Sequence, residues 1–162
     1  MEKFKNRAQF VILGSGDPML EKAFRSLARN NAGQISYNSS LDEELAHRIY
    51  AGSDMFLMPS RFEPCGLAQL IAMKYGTLPI VSHVGGLVDT VKGYNGENEE
   101  TATGFFIEPF NEKGLIQTLD NVLKIYKNSP LWWRLVRNAM RQDLSWDKSA
   151  RAYLELYRKT MA

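Results

Sequence analysis

Apolar and polar positions along the chain follow two alternating patterns, one typical of buried strands and the other of amphipathic helices. Short apolar runs are bounded by glycine, proline or polar residues, which indicates strands covered on both faces. Longer segments repeat apolar residues every three or four positions, which predicts helices. The predicted strands cover residues 9–13, 34–38, 54–60, 77–82 and 105–109. The predicted helices cover residues 18–30, a segment after Asp42, and residues 66–75, 87–91, 111–126, 130–142 and 146 onward.

This order of elements predicts an α/β fold. Strands alternating with helices at intervals of roughly 20–25 residues imply a Rossmann-like parallel sheet with helices on both faces. We expect residues 1–145 to form a partial domain of this kind and residues 146–162 to form its C-terminal helix. The stretch MEKFKNRAQ before the first strand resembles the tail of a helix, which predicts that the chain is truncated at its N-terminus.

Some finer expectations concern burial and helix ends. Asp42 is placed to cap the second helix, and Gly76 is placed to end the third. The polar, glycine-spaced segment 93–104 predicts a surface loop. Aromatic residues at helical spacing in the last two helices are expected in the core. They are Trp132, Trp133, Trp146 and Tyr153.

Composition and charge exclude several classes of function. The chain has 162 residues, 44% of them hydrophobic, and a formal net charge of +2. This suits one domain or a piece of a larger enzyme, and it offers no broad surface for nucleic acid. Cys65 is the single cysteine, and no Cys/His spacing indicates a metal site. No apolar run is long enough for a signal peptide or a membrane span, so we expect a cytoplasmic protein.

Three glycine-containing loops follow predicted strands, where ligands bind in open parallel sheets. They are residues 14–17, 60–67 and 82–87. The turn at Gly14 and Gly16 is not a GxGxxG fingerprint because Met19 occupies the third position. Taken alone, that turn and the Gly85–Gly86 pair are more typical of ordinary connections. His83, beside the glycine pair, is a ligand candidate weighed against a structural role.

The most informative stretch is Glu63-Pro64-Cys65-Gly66-Leu67. Backbone N–H groups at the start of the following helix form a natural phosphate site. A carboxylate at Glu63 would repel phosphate, unless it addresses sugar hydroxyls or a developing cation. A nucleotide sugar combines all of these features. In the alternative interpretation, Glu63 merely caps the helix, worth about 1 kcal/mol, and Cys65 is a small packed thiol.

Together the loops carry a family resemblance. The segment HRIYAGSDMFLMPSRFEPCGLAQLIAMKYGTLPIVSHVGGLVDTV, with TGFFIEPFN and LSWDKSARAYLELYRK, resembles bacterial-type glycogen/starch synthases. These are retaining, ADP-glucose-dependent glycosyltransferases of family 5 with the GT-B fold. The resemblance implies the C-terminal domain of two, with the last helix crossing towards an absent N-terminal domain. It also implies that Glu63 contacts the transferred glucose. The implied donor-binding residues are Gly14, Gly16, Leu41, Cys65, Gly66, Leu67, Ala68, Gly85 and Gly86.

The chain departs from the family pattern at several positions. Leu41 stands where many relatives place an aromatic ring on the base, and Tyr37 would substitute only in a different register. Ala68 and Val84 replace threonines that are common in relatives. The resemblance implies that the basic residues which neutralise the diphosphate lie ahead of Met1. Other GT-B enzymes often carry a second glutamate further along the helix after the first, whereas this chain has Ile71, which favours the glycogen synthase type.

The implied reaction is transfer of glucose from ADP-glucose to the non-reducing end of an α-1,4-glucan, with retention and without a metal or cofactor. The isolated chain is expected to be inactive, because half of the donor site and the whole acceptor site would lie elsewhere. Two alternatives remain at this point. One is a GT-B enzyme that uses a UDP-sugar, and the other is a non-catalytic nucleotide-binding module.

Overall fold

The computed structural model describes residues 2–4 and 6–161, and every predicted strand and helix has a counterpart in it. A 3-10 turn at Glu2–Phe4 lies in the stretch predicted as a helix tail, of which Met1 and Lys5 lie outside the described residues. The strands are β1 (Phe10–Leu13), β2 (Ile35–Asn38), β3 (Met55–Met58), β4 (Leu78–Ser82) and β5 (Phe105–Ile107). The helices are α1 (Pro18–Asn30), α2 (Glu43–Gly52), α3 (Ala68–Tyr75), α4 (Gly86–Thr90), α5 (Glu112–Tyr126), α6 (Ser129–Arg141) and α7 (Trp146–Thr160).

The chain divides into two compact units, the first ending at Gly52 and the second beginning at Ser53. In the first unit β1 pairs with β2 in parallel, with Phe10 opposite Ile35. In the second unit the strand order is β3-β4-β5, again all parallel. The predicted α/β class with parallel strands and helices on both faces is confirmed, and the strands form one sheet in each unit.

The second unit has a core on both faces of its sheet. All five residues of β4 are buried, and successive side chains point to opposite faces. Leu78 and Ile80 join a large cluster that includes residues of α3, α5 and α6. Val81 joins a smaller cluster with Leu87 and Val91, at α4. Full burial of each such side chain stabilises the fold by roughly 1.5–3 kcal/mol. The position of β4, and of the loops at its ends, is therefore held by the core.

Short-range chemistry sets several helix ends. The Asp17 carboxylate accepts hydrogen bonds from the N–H groups of Met19 and Leu20 at 2.7 and 3.2 Å, which begins α1. Asp42 accepts from the N–H of Leu45 at 2.9 Å, so the predicted cap of α2 is confirmed. Gly76 ends α3 with a φ of 83°, a left-handed conformation that glycine adopts without strain, as predicted.

The prediction that four aromatic residues lie in the core is only partly correct. Trp132 is buried, whereas Trp133, Trp146 and Tyr153 are 57%, 86% and 58% exposed. All described residues of α7 are exposed, although its apolar residues recur at helical spacing. Periodicity identifies an apolar face but does not specify what covers it, which is why the prediction was wrong for these three. Within the described part of the chain, no helix is both long and apolar enough to cross a bilayer.

The segment 93–104 is also less exposed than predicted. Its last residues, Ala102, Thr103 and Gly104, are buried. Gly93 and Gly104 pair in a parallel bridge beside the sheet, and a Cβ at Gly104 would lie 2.6 Å from the Pro79 carbonyl oxygen. The segment therefore returns to the core by a close backbone contact that its polar composition did not indicate.

Candidate functional site

Two loops meet at the carboxyl end of the sheet in the second unit. The acid loop, residues 59–67, connects β3 to α3, and the glycine loop, residues 83–85, connects β4 to α4. Because β3 and β4 are neighbouring parallel strands, both loops leave the sheet at the same edge. That edge is where open α/β sheets bind ligands.

The two loops are in direct backbone contact. The N–H of Gly86 donates to the carbonyl oxygen of Glu63 at 3.0 Å. A Cβ at Gly85 would overlap that same oxygen, and Gly85 also has a φ of +47°. A Cβ at Gly86 would lie 2.6 Å from the Cys65 carbonyl oxygen. The glycine pair is therefore required by the close approach of the acid loop, and the structure brings Glu63 and Cys65 beside it.

The Glu63 side chain is half-buried and oriented by serines. Its Oε2 accepts a hydrogen bond from the Ser60 hydroxyl at 3.4 Å. The Ser60 carbonyl in turn accepts from the hydroxyl of Ser82, which is fully buried at the end of β4. The N-cap of α3 is Leu67, so Glu63 does not cap this helix and the capping interpretation is wrong. Nothing in the sequence pattern singles out the two serines, although both stand at the ends of predicted strands.

The start of α3 has the features of an anion site. Gly66 has a φ of +72°, and Leu67, which follows it, forms no side-chain capping hydrogen bond. The N–H groups of the first helical turn, which begins at Ala68, are those a bound anion would accept from, in the positive field of the helix end. Cys65 is exposed, so the interpretation of its thiol as a small packed group is wrong.

A buried amide lies directly beneath this helix start. The Gln69 side chain is fully buried, and its Nε2 donates to the carbonyl oxygens of Gly66 and Cys65 at 2.8 and 3.2 Å. The same nitrogen lies 3.0 Å from the Thr90 hydroxyl, which donates to the Gly86 carbonyl at 2.8 Å. These bonds join the acid loop to α4. Neither residue was predicted from the sequence; the available signal was Gln69, a polar side chain among apolar helical positions.

The remaining predicted donor residues belong to the first unit. Gly14 has a φ of +146°, and its carbonyl accepts from the Tyr37 hydroxyl at 3.1 Å. The N–H of Gly16 donates to Glu21 at 3.1 Å, and a Cβ at either glycine would meet nothing within 4 Å. Leu41 is 91% exposed. The turn is thus open and its glycines leave the backbone accessible, while the assignment of a base to Leu41 stays a prediction.

His83 lies in the glycine loop and forms a defined structural pair. Its Nδ1 is 2.8 Å from a carboxylate oxygen of Glu108, and its ring lies over Phe106 with 4.4 Å between centroids. This arrangement ties the ends of β4 and β5 together. In the described ranges 2–4 and 6–161, no group of three or more His, Cys, Asp or Glu side chains is placed to hold a metal ion.

Comparison with sequence families and curated relatives gives consistent results. The family model described as glycosyl transferases group 1 matches residues 1–140. A glycogen synthase from Elusimicrobium minutum is 56% identical over the whole chain, which covers 33% of that protein. A glycogen synthase from Kosmotoga olearia is 49% identical over 96% of the chain and 33% of its own length. The chain therefore spans about a third of the curated relatives it matches.

Solved structures give the same picture. The catalytic domain of starch synthase IV from Arabidopsis thaliana, bound to ADP and acarbose, matches with a TM-score of 0.83 and 38% identity. The match covers 93% of this chain and 32% of that one. A sucrose-phosphate synthase from Thermosynechococcus elongatus matches with a TM-score of 0.65 and 26% identity, over 94% of this chain and 38% of its own.

Proposed function

The chain belongs to the group 1 glycosyltransferases, and from this premise we propose that it is the donor-binding part of a glycogen synthase. The full protein would transfer glucose from ADP-glucose to the non-reducing end of an α-1,4-glucan. One observation carries the proposal: a half-buried carboxylate, Glu63, stands beside a helix start suited to phosphate. That pairing matches the sugar and the diphosphate of a nucleotide sugar, and the similarity to glycogen synthases favours glucose as the sugar.

Each part of the site has a role in this proposal. The backbone from Cys65 to Ala68 binds the diphosphate and glucose hydroxyls through N–H groups at the start of α3. Glu63 accepts hydrogen bonds from the glucose and stabilises positive charge that develops on its ring. Gly85 and Gly86 hold the acid loop in place by close backbone contact with Glu63. Gly14, Gly16 and Leu41 flank the nucleotide. Neither a metal nor a cofactor has a role.

Retention follows a front-face route in this proposal. The bond between glucose C1 and the phosphate oxygen breaks, and the acceptor 4-hydroxyl attacks C1 from the same face. The proton of that hydroxyl passes to the departing phosphate oxygen, so no covalent glucosyl-enzyme is required. Helix N–H groups at the start of α3 share the negative charge that develops on the leaving diphosphate.

The proposal includes a second domain that is not in this chain. In the relatives about two thirds of the length lies outside the matched part, with 33% of each covered. We assign to α7 the role of packing against an N-terminal GT-B domain, since Trp146, Tyr153 and Tyr157 are 86%, 58% and 56% exposed on it. A reducing cytoplasm suits a protein with a free, exposed cysteine.

The decisive experiment measures glucose transfer by the full-length protein that contains this chain. A glucan primer is supplied with ADP-glucose in one series and UDP-glucose in another, and incorporation of labelled glucose is followed. We expect transfer with ADP-glucose to exceed transfer with UDP-glucose. The reverse preference would identify a UDP-sugar enzyme, and binding of ADP without any transfer would identify a nucleotide-binding module.

A companion measurement uses the 162-residue chain alone. We expect no glucan elongation, because the acceptor site and the other wall of the donor site would be missing. The matched control is the full-length protein at the same molar concentration. Elongation by the short chain would contradict the assignment of those sites to another domain.

A further inference from the structure

Gln69 is the fully buried polar side chain at the start of α3. Its amide orientation follows from its neighbours, because the nitrogen lies within 3.2 Å of two carbonyl oxygens, those of Cys65 and Gly66. Carbonyl oxygens only accept hydrogen bonds, so the atom facing them must be the donor Nε2. The third neighbour, the Thr90 hydroxyl, gives its own proton to the Gly86 carbonyl and accepts from Gln69. The two amide hydrogens thus serve three acceptors, and one hydrogen is shared.

This arrangement has a cost in stability. Oε1 of Gln69 is buried without a hydrogen-bond partner, which costs on the order of 1–3 kcal/mol. A Cβ at Gly66 would overlap that oxygen, so Gly66 and Gln69 fit only as a pair. An apolar side chain of similar length would fill the same space without an unpaired acceptor. The amide is therefore poorly explained by packing, and its bonds to two loops are the feature that an apolar residue would lose.

From these contacts we propose that Gln69 is a positioning residue for the nucleotide-sugar donor. It acts through the carbonyls of Cys65 and Gly66 on one side and through Thr90 and Gly86 on the other. By holding the anion-binding start of α3 against α4, it fixes the backbone N–H groups that meet the diphosphate. Being buried, it touches no donor atom. The inference rests on the proposed function, since it assigns the donor to this helix start.

The test uses the full-length protein with Gln69→Met. This change keeps the length of the side chain and removes its N–H groups. We expect the KM for ADP-glucose, and the Kd for ADP measured by calorimetry, to rise about tenfold, with the KM for glucan unchanged. Thr90→Val removes the other half of the link and is expected to raise the same constants by a smaller factor. The double variant should be no weaker than Gln69→Met alone, because both changes break one network.

Asn138→Leu is the matched control. The Asn138 amide, in α6, donates to the carbonyls of Glu99 and Ala102 at 2.8 and 3.0 Å and likewise ties a helix to a loop. It should lower stability while leaving both donor constants unchanged. If Gln69→Met does not fold, the KM for ADP-glucose and the Kd for ADP of Thr90→Val decide whether the network positions the donor.

The outcomes separate the two proposals. Unchanged ADP affinity in both Gln69→Met and Thr90→Val would overturn the positioning role, even where the wild-type protein transfers glucose. A wild-type protein that binds ADP but transfers no glucose would overturn the proposed function, and the ADP constants would still decide the role of Gln69. Failure of the wild-type protein to bind ADP would overturn both.

Discussion

The two units support similar glycine turns in very different ways. In the first unit, up to Gly52, the buried residues among those described are Phe4 and Ile35, and α1 and α2 contain none. In the second unit β4 is buried along its whole length and separates two core clusters. A side chain that must be held within a fraction of an ångström needs such a packed support. The acid Glu63 therefore lies in the unit that has one.

The glycines of the two units also differ in how closely other atoms surround them. Gly85 and Gly86 are required by contact, because a Cβ at either would collide with the acid loop. Gly14 and Gly16 have open space around them, so only access to the backbone, and the positive φ at Gly14, favours glycine there. A glycine in a loop can thus serve one of two purposes: it lets two backbone segments pack closely, or it leaves one backbone segment accessible to a ligand.

The largest effect is expected at the acid. Glu63→Gln in the full-length protein should lower kcat about 10²–10³-fold, since a neutral amide no longer stabilises positive charge on the glucose. Thermal unfolding should change little, because the observed partner of the carboxylate is the Ser60 hydroxyl. Glu112→Gln, an exposed acid at the start of α5, is the control and should keep full turnover. Near-normal kcat in Glu63→Gln would remove this residue from the mechanism.

The next test compares two glycines. Gly85→Ala should lower the free energy of unfolding by about 2 kcal/mol or more, because it combines a collision with the Glu63 carbonyl and a positive φ. Gly16→Ala should change it by less than about 0.5 kcal/mol, since its Cβ would meet nothing. Urea denaturation of both variants measures the difference. Equal losses would show that the open turn of the first unit is packed as tightly as the glycine loop.

Amide hydrogen exchange compares the local stability of the two units. Amides of Ile80 and Val81 in β4 should exchange at least about tenfold more slowly than those of Val11 and Ile12 in β1, since buried strands open only with the core. Both sets lie in parallel ladders, but β4 pairs with β3 and β5 whereas β1 pairs with β2, so the second ladder of β4 adds to the expected protection. Equal protection would mean that the first unit gains support from outside its own residues.

The smallest effect concerns two tyrosines, one in each unit. Burial raises the pKa of Tyr50, whereas the charge of Asp54 is the main cause that raises the pKa of Tyr126, followed by burial and a hydrogen bond to Asp54. Because the folded pKa is raised, the Asp54–Tyr126 contribution to stability is present below the ordinary tyrosine pKa and is lost as pH rises through the folded value. Asp54→Asn should lower the pKa of Tyr126 and leave that of Tyr50 unchanged.

Absorbance of tyrosinate during alkaline titration measures both groups, with Tyr126→Phe and Tyr50→Phe assigning the two transitions. A shift of Tyr50 in Asp54→Asn would mean that the carboxylate also acts on the first unit. No shift of Tyr126 would mean that burial, not charge, sets its pKa.

Local chemistry in the sequence determined the order and approximate bounds of the helices and strands. Asp42 and Gly76 mark helix ends through contacts within a few residues, so their roles can be derived without tertiary structure. The meeting of Glu63 with Gly85 and Gly86 was also predictable, because neighbouring parallel strands end at one edge of a sheet.

Tertiary structure alone decided what depends on distant partners. The hydrogen bonds of Gln69 to Thr90 and of Ser82 to Ser60 join residues far apart in the chain, and no local pattern specifies them. The same holds for Trp133 and Trp146, whose helical spacing fits a core although they are exposed. The sequence thus determined which groups stand at the strand ends, and the packing decided how they are held, because burial and hydrogen bonding depend on contacts across the fold.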